Sequence, residues 1–128
     1  MAVFFVCAGL LGVLVVMLGL NIGRLRNQKK ISLGDGGDPE MTAAIRAHGN
    51  LIENAPLGLI LIFMANDVYG PRVIAGLSII FLLARLIHAA GMLGYIAKGR
   101  FIGTIASTAV LLVASILVIV AGVGLKVF

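Results

Sequence analysis

Arg46, Asn50 and Glu53 are the residues of this chain best suited to hold a polar ligand. They lie in the stretch Arg46-Ala47-His48-Gly49-Asn50-Leu51-Ile52-Glu53-Asn54-Ala55-Pro56, surrounded by sequence that otherwise reads as a membrane helix. At 100° per residue the three fall in a stripe roughly 60° wide, while His48 points elsewhere. Charged groups at membrane depth cost about 2.5–3.5 kcal/mol each on insertion scales, so they face a partner or a cavity. A polar ligand binds at this stripe, or neighbouring helices are locked together there.

The elements that position the stripe follow from composition. Of the 128 residues, 61% are hydrophobic and 12% charged, against about 45–50% and 25% in soluble domains. One small all-α domain over residues 1–128 is expected, an integral membrane four-helix bundle. The net charge is +5, but the basic residues cluster between apolar runs. That pattern reports membrane topology and lipid headgroups, not nucleic acid. Cys7 is the one cysteine, so no intrachain disulfide can form, and its apolar setting reads as packing.

Four spans are predicted, at about 2–23, 39–68, 71–97 and 101–127. Arg24, Arg26, Lys29 and Lys30 follow the first, and Lys98 and Arg100 separate the third from the fourth. These basic loops fall on one side, which the positive-inside rule makes cytoplasmic, with both termini outside. Within Leu33-Gly34-Asp35-Gly36-Gly37-Asp38 the glycines stop the first helix. Asp38 can cap the second, with Pro39 at its first position. Pro56 should bend the second helix just past Glu53. Gly99, Gly103 and Ser107 allow a close helix contact in the fourth.

A rise of 1.5 Å per residue puts Glu53 roughly 22 Å and Arg85 roughly 20 Å from the basic-loop end. A Glu53–Arg85 ion pair is therefore expected. On the same scale Arg46 lies about 12 Å deep, Asn50 about 18 Å, His88 about 15 Å and Met92 about 9 Å. Arg85, His88, Met92 and Tyr95 are expected on one face of the third helix. With the stripe and Arg24, Arg26 and Arg100 they outline a cationic pocket containing one carboxylate. Two carboxylates and an ammonium on one ligand would satisfy it, a charge pattern that glutathione shares with other anions.

The run from Arg46 to Pro56 resembles the signature of the MAPEG family, the membrane-associated proteins of eicosanoid and glutathione metabolism. Ala84-Arg85-Leu86 with His88 and Gly91, and Arg100 before an apolar fourth helix, are similar to that family as well. The loop Leu33–Gly37 resembles its small bacterial branch, related to microsomal glutathione transferases. The resemblance implies a homotrimer with glutathione as co-substrate, held between subunits. Arg46, Asn50 and Glu53 would contact it, with Arg24 or Arg26 reaching in from a neighbouring first helix. Arg100 would be catalytic, favouring the glutathione thiolate, which attacks a lipophilic electrophile or hydroperoxide arriving through the bilayer. The chain departs from the better-known transferases at Asn54, which follows Glu53 where they carry tyrosine. It departs also at His88 and Met92, where the leukotriene C4 synthase type has tyrosines.

Three readings follow. One is a membrane-bound glutathione transferase, with peroxidase activity as a variant, in a bacterial inner membrane. Another is a non-catalytic binder of a lipid or anion. The third is a structural or partner-binding membrane protein whose polar residues only lock helices. No metal-ligand cluster, nucleotide loop or serine-centred triad appears.

Overall fold

The computed structural model describes residues 1–124 and consists of four helices. They are α1 (Ala2–Lys29), α2 (Pro39–Met64), α3 (Asn66–Met92) and α4 (Gly99–Gly122). The stretch 125–128, into which the fourth predicted span extends, lies outside the described residues. Helices α1, α3 and α4 are each long and apolar enough to cross a membrane. α2 has the length but carries the polar stripe in its first half. Much of the outer surface is apolar too, including Phe5, Val13 and Leu20 on α1 and Phe101, Leu112 and Ile119 on α4. Such a surface is suited to lipid rather than water.

Local chemistry sets each helix end. α1 closes on Lys30 in the left-handed region (φ 57°), with the Ile31 amide donating to the Arg26 carbonyl at 3.2 Å. Arg26 then ties the following loop down, donating to the carbonyls of Ile31 (3.3 Å) and Gly34 (2.9 Å). Asp38 caps α2 by accepting from the Met41 amide at 2.8 Å, ahead of Pro39. Lys29 bridges the loop to Asp38 (2.8 Å) and Glu40 (2.9 Å). The Lys29 ammonium, with the Met41 amide, holds the Asp38 carboxyl below its ordinary pKa.

α2 continues through Pro56 as one helix and stops at Met64, four residues before the predicted end. Ala65 alone separates it from a short turn, Asn66 to Tyr69, which breaks at Gly70 (φ 75°, ψ 170°). Pro71 demands an extended predecessor, and glycine reaches that ψ at positive φ without strain. Tyr69 fastens the turn by donating to the Leu117 carbonyl at 2.9 Å.

α3 also ends early, at Met92 instead of near Ala97. Gly94 takes φ 83°, its amide donates to Gly91 O (3.2 Å), and the Tyr95 amide donates to Ala90 O (2.8 Å). That double bond pattern is a Schellman stop, so Tyr95 does not continue the α3 face.

α2 and α3 form the middle of the bundle. α1 packs on both from one side and α4 on both from the other; among the described residues α1 and α4 do not touch. α3 and α4 are the closest pair, because small residues meet there. A Cβ added to Gly103 would lie 2.5 Å from the His88 main-chain nitrogen, and one on Gly91 would lie 2.0 Å from the Arg100 main-chain nitrogen. Gly99, Gly103, Ser107, Val110 and Ala114 make the buried face of α4.

Candidate functional site

The tight α3–α4 contact carries a polar group into the bundle. Arg85 is 2% exposed. It donates through Nη2 to Asn50 Oδ1 and through Nη1 to Ser107 Oγ at 3.3 Å. Ser107 in turn donates to the Gly103 carbonyl at 2.7 Å. The expected Glu53–Arg85 ion pair does not form. The ion pairs among the described residues are those of Lys29.

Helix geometry explains the substitution. The buried residues of α2 include Ala44, Ala47, Leu51, Ala55, Gly58 and Ile62, centred roughly 140° around the helix from Arg46. Asn50 stands roughly 100° from that centre and Glu53 roughly 160°. Asn50 therefore reaches inward at the edge of the buried face, while Glu53 is exposed on the opposite side.

Beside this network lies a cleft. Its floor is a cavity of about 320 Å³ lined by Arg46, Asn50, His88, Met92, Arg100 and Thr104. Its mouth is a larger hollow of about 600 Å³, where Arg46, Met92 and Arg100 recur and Asp35, Gly37, Thr42 and Gly91 are added. Volumes of this size accommodate a small organic ligand. His88 is 3% exposed and its Nδ1 has no protein partner; Arg85 Nε, behind Asn50, also lacks one. Buried polar atoms of this kind are normally satisfied. Arg46 and Arg100 are exposed at the rim, so the cleft collects cations, with Asp35 the carboxylate among its lining residues.

Asp35, Thr42 and Thr104 were not singled out by residue type or spacing. Asp35 accepts from the Gly37 amide (3.0 Å) and the Thr42 hydroxyl (2.9 Å). Those two bonds hold its carboxyl below the ordinary value. The glycine-rich turn next to the α2 cap was the available signal.

The remaining candidates lie away from the floor. Arg26 is held by loop carbonyls. Arg24 donates to Asn21 Oδ1 at 2.9 Å and lines a separate hollow together with Tyr95, which is 79% exposed. Neither α1 arginine enters the cleft of its own chain.

The sequence profile of the MAPEG family matches residues 4–120. The chain belongs to the MAPEG family. It is also similar to the inner membrane protein YecN of Escherichia coli strain K12, at 34% identity over 85 residues. The same figures hold for YecN of E. coli O6:H1. The matched stretch is 66% of this chain and spans 65% of the length of those relatives. This MAPEG chain is thus a helical membrane protein whose relatives reside in a bacterial inner membrane.

Proposed function

We propose that the chain is a glutathione transferase of the membrane, binding glutathione in the α2–α3–α4 cleft and conjugating it to lipophilic electrophiles. The observation that carries this reading is the convergence of Arg46, Asn50, His88 and Arg100 on one cavity of about 320 Å³. The tripeptide brings two carboxylates, an ammonium and a thiol. Guanidinium groups pair with the carboxylates, and the Asn50 carboxamide and the His88 ring supply hydrogen bonds. Arg85 adds positive charge to the floor from behind Asn50.

Arg100 acts on the thiol. A cation beside sulfur favours thiolate, lowering a pKa near 8.5. The thiolate then attacks an electrophilic carbon: the S–C bond forms, and the displaced electron pair leaves with the leaving group or takes up a proton. The apolar outer surface admits such substrates from the bilayer.

The exposure of Arg46 and Glu53 supports assembly as a homotrimer, because a neighbouring subunit would shield both charges from lipid. Glu53 then supplies a carboxylate for the glutathione ammonium at the subunit boundary. The basic loops face the cytoplasm, where glutathione is available.

The test is the ultraviolet absorbance of thiolate on adding glutathione to detergent-purified protein, compared with Arg100→Ala. The reading expects a thiolate signal that Arg100→Ala loses while it still binds glutathione. A signal unchanged by Arg100→Ala would remove Arg100 from catalysis.

A further inference from the structure

Beyond the mouth of the cleft, α1, α3 and the start of α2 leave a groove between them. Its lower part, about 340 Å³, is walled by apolar side chains including Leu14, Met17, Leu18, Leu86 and Ala90. Its upper part, about 310 Å³, is more polar than the lower and includes Arg24 and Glu40. The two parts share Asn21, Leu93 and Tyr95, so they form one amphipathic channel running along the helices. From Asn21 to Leu14 the apolar stretch extends about 10 Å along α1. Met92, Pro39 and Ala43 line both the upper part and the mouth of the cleft, which adjoin there.

We infer that this groove binds a phospholipid with a phosphoethanolamine headgroup, one acyl chain lying between α1 and α3. Charge complementarity selects that headgroup. Arg24 is steadied by its bond to Asn21 and meets the phosphate, since a guanidinium suits phosphate oxygens. Tyr95 lies at the level where tyrosine phenols sit among headgroups. Glu40, at the start of α2 and with its side chain 63% exposed, spends Oε2 on Lys29 at 2.9 Å and meets the ammonium with its other oxygen. A glycerol headgroup offers Glu40 no cation, and a choline headgroup offers it no N–H donor. The assignment gives Arg24 to a lipid on its own subunit rather than to a neighbour's cleft.

The experiment is native mass spectrometry of the detergent-purified protein. It is incubated with equal amounts of phosphatidylethanolamine, phosphatidylglycerol and phosphatidylcholine of identical acyl chains. Wild type should retain phosphatidylethanolamine with about twofold to fivefold preference, the range an exposed ion pair supports. Glu40→Gln should erase that preference while leaving total lipid bound. Ala90→Trp, and independently Met17→Trp from the opposite wall, should fill the groove and cut all three adducts. Circular dichroism confirms that each variant is folded. Equal retention of the three lipids by wild type overturns the headgroup assignment. Lipid retention that survives both tryptophans overturns the groove. Loss of subunit association in those variants, with lipid binding intact, would make the occupant a second copy of the chain and overturn the proposal.

Discussion

Replacing Asn50 with leucine should expose how the buried arginine is carried. Arg85 is 2% exposed, and its two terminal nitrogens donate to Asn50 and Ser107. Asn50→Leu keeps the side-chain size but removes the stronger acceptor. The bond that Asn54 makes to the Asn50 main-chain carbonyl, 2.8 Å, is untouched. A hydrogen bond to a charged group contributes about 1.5–3 kcal/mol, so the unfolding equilibrium should shift by about 10- to 150-fold. Arg85→Met removes the charge itself and should cost less, because Ser107 keeps its bond to the Gly103 carbonyl. The double variant should therefore be more stable than Asn50→Leu alone. Unfolding can be followed in mixed micelles titrated with dodecyl sulfate, using a thiol-reactive fluorogenic dye. Cys7, the one cysteine, is buried and reacts only on opening. Strictly additive single costs, or an Arg85→Met variant weaker than Asn50→Leu, would refute the reasoning.

Gly103→Val should be among the most damaging single changes, because its Cβ would meet main-chain atoms of α3. Such overpacking costs about 1–3 kcal/mol or more, and the same dye assay reads it. The α2 cap predicts acid sensitivity. The Asp38 pKa is lowered on folding, so its contribution is present above the unfolded aspartate value and is lost as pH falls through the folded value. Thermal unfolding between neutral pH and pH about 3 should show a smaller acid-side loss in Asp38→Asn; an unchanged slope would discount the cap. Glu53→Gln should leave unliganded stability of a dispersed subunit within about 0.5 kcal/mol of wild type, since the group is exposed and unpaired with Arg85. A large loss, by the same unfolding titration, would revive a buried partner for Glu53.

The fold was readable because its cues were local. Apolar run length, the basic clusters, Asp38-Pro39 and the Gly99-Gly103-Ser107 spacing each name a helix, a cap or a contact without tertiary knowledge. What failed was also local in origin but subtler. Gly94 passed for a helix interior glycine, yet its left-handed turn removes Tyr95 from α3. Depth matching brought Arg85 level with the polar stripe, but depth does not say which edge of a stripe turns inward. That depends on the whole buried face of α2, and it picked Asn50 over Glu53. Asp35 and Thr42 reach the cleft through loop geometry, which no periodicity encodes. Arg46, Asn50 and His88 stood out because polar residues inside apolar helices carry a cost that requires a reason, whereas Arg100 was named from the basic loop and the family resemblance.

The most direct measurement is titration calorimetry of glutathione into the detergent-purified protein, beside an Arg46→Ala variant. The account predicts saturable binding to wild type that Arg46→Ala loses. Absence of binding at millimolar glutathione, or binding that Arg46→Ala leaves unchanged, would contradict it.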